Sequence, residues 1–296
     1  MGKVWIEAAI NGPWSRARQA AIPDTIPAII ADGIACARAG AAIIHTHAYD
    51  GGGPQTFDWQ VYARIIEGIR SKVDVPVYPS IPSAGIGVGP LPEDPAARFV
   101  HVEELAARGL IEFAVIDPGS VNFTELDVAA GTPAAATYLN PESHVRHAMA
   151  FAQRYGFHPA YAVYEPGFTR AGAALARALG THVPIYRLMF SETFAFGFPP
   201  RDYALQAHLS LLEEEAPGAP WMVAGLGVDI RPLIPETVRR GGHVRVGLED
   251  SPFGTTTANP LIVGEAVRLI HAAGGEPATV AEMRRALSGA NKGCKG

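Results

Sequence analysis

His45 and His47 stand one residue apart at the end of the apolar run Ala41-Ala42-Ile43-Ile44. In a β-strand the side chains at i and i+2 share a face, so the two imidazoles would converge on one point. That spacing is a metal grip, and two nitrogens leave coordination positions to be filled. A second apolar run, Val244-Arg245-Val246-Gly247-Leu248-Glu249-Asp250, ends in adjacent carboxylates. If the fold joins the two strand ends, the chain holds a His, His, carboxylate set with open positions. Such a set suits Zn²⁺, with Mn²⁺, Ni²⁺ or Fe²⁺ as other occupants.

A regular strand would point Glu249 and Asp250 to opposite faces, so only one is expected to be a ligand. Glu249 takes that role here, with Asp250 as base or as a partner behind the ligands. Arg245 precedes Glu249 by four residues and shares its inward parity, which places a cation beneath the metal. There it would orient Asp250 or a substrate carboxylate; a structural ion pair is the competing reading. The histidine pair has its own plain alternative, as hydrogen-bonded structural residues. The remaining histidines, at 101, 144, 147, 158, 182, 208, 243 and 271, fall on expected helices or strand starts and read as packing or surface groups.

The elements that must position these groups alternate along the chain. Candidate strands are Val4–Asn11, Ala41–Tyr49, Val75–Ile81, Phe113–Asp117, Ala160–Glu165, Pro184–Phe190, Trp221–Gly227 and Val244–Asp250. Between them lie helical patterns near 25–39, 58–72, 93–108, 141–155, 168–179, 201–215, 232–240 and 259–273, with Asp24 and Asn140 as N-caps. Eight strand-then-helix units close into a (β/α)8 TIM barrel, here one domain over residues 1–296. A last helix near 279–288 falls outside the eight units, where it would cap the barrel or meet a neighbouring subunit. On a barrel the C-terminal strand ends carry the site. Those ends are Asn11, His45 with His47, Ser80, Asp117, Glu165, Ser191 with Glu192, Asp229, and Glu249 with Asp250. An open doubly wound sheet is the rival fold. Gly85-Ile86-Gly87-Val88-Gly89 lacks the GxGxxG spacing of a dinucleotide loop, and Pro90 and Pro92 follow where its helix should open, so it reads as a plain loop.

Composition narrows the partners. Of the 296 residues, 24 are basic and 29 acidic, a net charge of −5 without a Lys/Arg run, which points away from nucleic acid and anionic membranes. Cys36 and Cys294 lie far apart without CxxC spacing, so neither a disulfide scaffold nor a cysteine-rich zinc site is expected. No charged leader precedes an apolar stretch and no run reaches about 18 apolar residues, so a cytoplasmic protein acting on small molecules is expected.

These residues together resemble the β-keto acid cleavage enzymes, typified by the 3-keto-5-aminohexanoate cleavage enzyme. The resemblance rests on Ala8-Ala9-Ile10-Asn11-Gly12, Gly40 to His47, Gly119-Ser120-Val121-Asn122-Phe123, Val163-Tyr164-Glu165, Ala224-Gly225-Leu226-Gly227 and Gly241 to Asp250. It implies a homotetrameric barrel with zinc on His45, His47 and Glu249, catalytic roles for Arg245 and Asp250, and a strand-three serine contact at Ser80. It also implies acetyl-CoA as co-substrate. A β-keto acid condenses with it, and cleavage gives acetoacetate and a new acyl-CoA. Substrate contacts are expected at Trp14, Asp117, Asn122 and Glu165.

The chain departs from the type enzyme at informative places. Trp14 stands where that enzyme has a glutamate associated with the substrate's distal amino group, and Ala162 replaces a second active-site glutamate. Val115 replaces a threonine, Asp117 an asparagine, and Ser251 the asparagine after Glu-Asp; Val228 sits where a basic residue is common. An indole and a methyl group cannot balance an ammonium, so a neutral or apolar keto acid is expected. Two rivals stand beside this reading. One is an amidohydrolase-like metal hydrolase, which would want histidines at the ends of strands five and six. The other is a non-catalytic metal- or ligand-binding barrel, which would have no need of both Arg245 and Asp250.

Overall fold

The computed structural model describes residues 2–14, 16–49, 53–83, 90–127 and 136–293. The glycine stretch 85–89 and Cys294 lie outside these residues. Eight parallel strands form a nearly closed barrel: β1 (Ile6–Ala9), β2 (Ile43–Thr46), β3 (Val77–Pro79), β4 (Phe113–Val115), β5 (His158–Val163), β6 (Ile185–Phe190), β7 (Trp221–Gly225) and β8 (His243–Val246). Neighbours pair in chain order, and β8 pairs with β1 in the register Arg245 with Glu7. One seam remains. Among the described residues β3 and β4 share no backbone ladder, and Tyr78 and Phe113 meet across the gap with ring centroids 6.0 Å apart.

Helices surround the strands: α1 (Ile26–Ala39), α2 (Trp59–Arg70), α3 (Pro95–Ala107), α4 (Glu142–Tyr155), α5 (Pro166–Leu179), α6 (Asp202–Glu215), α7 (Ile234–Arg239), α8 (Asn259–Ala272) and the additional α9 (Val280–Gly293). Side-chain caps start several of them, with Asp58 accepting from Gln60 N and Asp94 from Ala96 N. The N-caps of α1 and α4 differ from those expected. Thr25 rather than Asp24 caps α1, and Pro141 occupies the cap of α4, which frees Asn140 for the loop network described below. No helix among the described residues is long and apolar enough to cross a membrane.

The strands are buried on both faces, as their Val, Ile and Ala content requires. Several are shorter than expected, because the chain leaves the ladder where it begins to build the rim. After β2, Ala48–Tyr49 turns into a short hairpin with Gln55–Thr56, and after β4 a second hairpin pairs Val121–Phe123 with Ala136–Tyr138. The most consequential difference is β8, which ends at Val246. Residues 247–250 are a turn, so the alternation invoked for Glu249 and Asp250 does not operate there. Gly247 makes the turn possible: its φ is 141°, and a Cβ would lie 2.1 Å from the Ala9 carbonyl oxygen.

Candidate active site

β2 delivers His45, and His47 follows it at once, so both imidazoles enter the C-terminal mouth of the barrel, ring centroids 5.3 Å apart. The turn after β8 carries Glu249 to them. Its carboxylate oxygens lie 3.5 Å from His45 Nε2 and 3.4 Å from His47 Nε2. All three side chains are buried, and one ligand atom from each lies within 4.8 Å of the others. Asn11 fixes His47 from behind: its Oδ1 accepts from His47 N at 2.9 Å, and its Nδ2 donates to His47 O at 2.9 Å. Gly12 clears the approach of Glu249, since a Cβ there would meet Glu249 Cγ at 2.6 Å.

Arg245 holds both acids of the turn. Its Nε and Nη2 donate to the two oxygens of Asp250 at 2.8 and 2.9 Å, Nη2 also reaches Glu249 Oε1 at 3.0 Å, and Nη1 donates to Glu7 at 2.9 Å. A bidentate arginine–carboxylate pair of this kind has strong, directional hydrogen bonds. The chain of contacts continues inward. Tyr78 donates its hydroxyl proton to Glu7 at 2.6 Å, Arg187 Nη1 donates to that hydroxyl at 3.1 Å, and Arg187 Nη2 lies 3.6 Å from Asp117. Asp117 accepts from Tyr138 at 2.6 Å and from Ala162 N at 2.5 Å.

Burial drives the electrostatics. It pushes the His45 imidazolium well below its ordinary range, so His45 stands neutral with a nitrogen lone pair to offer. For Glu249 burial acts upward, but Arg245 and the two histidines outweigh it and hold the carboxyl low and ionised. Asp250 moves the other way: burial raises its proton affinity and Glu249 and Glu7 add to that, against the pull of Arg245. Burial likewise raises Asp117.

This donor set fits a divalent cation. Two imidazole nitrogens and an ionised carboxylate converge, and Glu249 Oε2 is buried without a hydrogen-bond partner among the described residues. The contact chain sets four carboxylates (Glu7, Asp117, Glu249 and Asp250) against two guanidinium groups, a formal excess of two negative charges that a dication would balance.

Among the expected substrate contacts, Trp14, Ser80 and Asp117 line the cavity with His45, His47, Glu249 and Arg245. Trp14 is fixed by its own N–H, which donates to the Glu249 carbonyl at 2.7 Å. Asp250 lies behind Arg245, outside the lining. Asn122 and Glu165 lie outside that lining. Asn122 is exposed on the strand Val121–Phe123, its Oδ1 accepting from the Thr137 hydroxyl at 2.9 Å, while Glu165 precedes α5 and accepts from Gly197 N at 3.0 Å. Neither is in the cavity lining: Asn122 bonds across to the facing strand, and Glu165 ties the end of β5 to the segment after β6. Among the described residues the lining contains no histidine beyond His45 and His47. Sequence reasoning missed Glu7, Tyr78 and Arg187, which sit mid-strand rather than at strand ends. An ionisable residue at an inward position of a doubly buried strand was the signal that could have found them.

The opposite wall is apolar. Trp14, Phe123, Ala162, Met189 and Leu226 belong to a cluster separate from the main core, closed by Phe194 and Phe196. Arg18 stacks on its outer side, 3.8 Å from the Phe253 ring centroid.

Known proteins resemble this chain over most of its length. The chain is 28% identical over 296 aligned residues to the 3-keto-5-aminohexanoate cleavage enzyme of Fusobacterium nucleatum, an alignment covering 97% of this chain and 98% of that one. It is 26% identical to the 3-oxoadipate:acetyl-CoA acetyltransferase of Cupriavidus necator, covering 95% and 93%. Against the 3-dehydrocarnitine:acetyl-CoA trimethylamine transferase of Rhizobium meliloti the identity is 25%, covering 96% of each. In three dimensions the chain resembles the apo structure of ObcA with a TM-score of 0.70 at 15% identity, a likeness of fold covering 90% of this chain and 65% of that protein's length. Residues 3–288 match the model of the β-keto acid cleavage enzymes, and the chain belongs to that family.

Proposed function

We propose that this protein condenses a neutral, non-aminated β-keto acid with acetyl-CoA and cleaves the adduct to acetoacetate and a new acyl-CoA, using a divalent metal, Zn²⁺ by preference. Residues 1–296 act as one domain in this reading. The observation that carries it is the buried His45, His47 and Glu249 triad, joined through Glu249 to the Arg245–Asp250 pair at the catalytic end of the barrel. Relatives of full length whose names specify acetyl-CoA support the co-substrate.

A cation bound by the triad would serve as Lewis acid toward the keto and carboxylate oxygens of the substrate. The protein's own residues handle the proton. Arg245 faces the cavity and holds Asp250 behind it, and this pair removes a proton from the carbon between the substrate's two carbonyl groups, with Asp250 as the final acceptor. The burial that raises the proton affinity of Asp250 suits it to that task. The carbon so freed bonds to the acetyl carbonyl carbon and displaces CoA thiolate. The thiolate then adds to the acyl carbon of the original keto acid, the carbon–carbon bond breaks, and the proton returns to the departing acetoacetate. Ser80 and Asp117 line the space where the substrate's polar end lies.

The substrate's distal end meets Trp14, Met189, Ala162 and Leu226, none of which carries charge. An ammonium placed there would lose its hydration with no carboxylate to replace it. Purified protein is to be incubated with acetyl-CoA and a panel of β-keto acids, and acyl-CoA products identified by mass. A des-amino keto acid is expected to match or exceed 3-keto-5-aminohexanoate in kcat/KM. A strong preference for the amine would overturn the substrate assignment, and keto acid consumption without acetyl-CoA would overturn the reaction.

A further inference from the structure

The open seam of the barrel lies in the wall of the cavity. Ser80, Ile81 and Ser83 line it from the β3 side, Val115 and Asp117 from the β4 side. Backbone bonds on the two flanks run away from the gap: Ser80 N donates to Thr46 O of β2, and Ile116 N donates to Ala160 O of β5. Among the described residues no ladder therefore fixes the distance between the two flanks.

Arg98 of α3 spans the gap instead. Its Nε donates to Pro82 O at 2.9 Å, on the β3 loop, and its Nη2 donates to Asn140 Oδ1 at 2.8 Å. Asn140 passes the link to the β4 loop, since its Nδ2 donates to Gly119 O at 2.8 Å and its N–H to Ser120 Oγ at 2.8 Å. One turn along α3, the His101 ring nitrogen Nε2 meets Ser80 O at 2.8 Å, and as the partner is a carbonyl the imidazole donates. Arg98 is only 1% exposed and forms no ion pair with a carboxylate among the described residues. Burial lowers its proton affinity, with Asp117 acting only at longer range, and a Leu or Met would pack the same helix position without the cost of burying a cation out of direct contact with an acid. What the guanidinium supplies is reach: a planar group with donors in several directions can bind two loops at once.

We infer that Arg98, through Asn140, is a positioning residue that staples the β3 and β4 loops across the barrel seam and so sets the width of the keto-acid cavity between Ser80 and Asp117. The kinetic part of this inference rests on the proposed reaction; the structural part does not. Arg98→Met and Asn140→Ala are to be compared with the wild type by hydrogen exchange and steady-state kinetics. Asn140→Ala cuts only the β4 half of the link, so it reports even if Arg98→Met fails to fold. Exchange is expected to speed up tenfold or more in segments 79–83 and 116–120 and to stay unchanged in β7, while KM for the keto acid rises tenfold or more and kcat falls less. Uniformly faster exchange throughout the barrel, or unchanged exchange at the two loops with KM intact, would overturn the staple. Absence of turnover by the wild type with every keto acid would count against the proposed reaction, and the exchange pattern would still decide the staple.

Discussion

One side of the cavity is lined by Arg187, Arg245 and Glu249, backed by Glu7 and Asp250 in a continuous chain of contacts, whereas the other side offers Trp14, Phe123, Ala162, Met189 and Leu226. The charged half is cross-braced, and every arginine in it touches at least two partners. The apolar half is held by ring contacts, such as Phe123 with Phe194 and Phe196 at 5.6 Å, and by polar anchors such as the Trp14 N–H on Glu249 O. Rigid charge placement belongs where a proton must move, because a preorganised site need not reorient during the reaction. An apolar wall can vary with the substrate while leaving that machinery in place. The comparison thus separates what the site does from what it accepts.

Arg245→Met is the hardest blow to the charged half, since Glu7, Glu249 and Asp250 would all lose their shared counterion. Turnover should vanish and stability should fall by about 3–5 kcal/mol, the usual cost of breaking a buried pair, read from denaturant melts. Trp14→Glu restores an acid to the apolar half. It should raise kcat/KM for an aminated keto acid relative to its des-amino analogue by about tenfold or more, because a buried acid rewards an ammonium and penalises a methyl group. An unchanged ratio would mean that the substrate's distal end does not meet this wall.

The histidines at the opposite end of the barrel and on the helices provide a contrast with His45 and His47. His208 packs between Phe190 and Phe198, with both ring nitrogens unpartnered among the described residues, and burial lowers it to about 4. His243 stacks on Trp5 at 3.8 Å and is lowered to about 3. In both cases the unfolded chain takes up a proton near pH 6.5 while the native state does not. Stability is therefore fully present above pH 6.5 and declines as pH falls toward 4, each group contributing at most about 1.4 kcal/mol per pH unit. His208→Phe should flatten the fall in Tm between pH 6.5 and 4, and an unaltered slope would contradict it. At the small end, Arg170→Ala removes an exposed pair with Glu215 and should cost no more than about 1 kcal/mol.

Much of the barrel could be read in the sequence because its strands alternate with helices of ordinary length, and because His45, His47 and Glu249 sit at strand ends, where a barrel collects its chemistry. The rest was hidden for specific reasons. The turn at Gly247 breaks the alternation that would have sent Glu249 and Asp250 to opposite faces, and Arg245 gathers both instead. Glu7 and Arg187 look like stray charges inside apolar runs until the register sets Glu7 beside Arg245 and places Arg187 within reach of Tyr78. Asn122 and Glu165 were polar residues next to strand ends, but the Thr137 hydroxyl bonds the one and the Gly197 N–H the other. The role of Arg98 depends on a missing ladder between β3 and β4, which no local pattern announces.

The most direct test follows the carbon atoms. Acetyl-CoA labelled in the acetyl group is supplied with an unlabelled neutral β-keto acid, to the wild-type protein and to Asp250→Asn, with bound metal measured in parallel. The account predicts that the wild type sends the label into acetoacetate and yields an unlabelled acyl-CoA built from the keto acid, and that Asp250→Asn keeps its metal and loses turnover by about a hundredfold or more. Label that stays in acetyl-CoA while the keto acid disappears, or full turnover by Asp250→Asn, would contradict it.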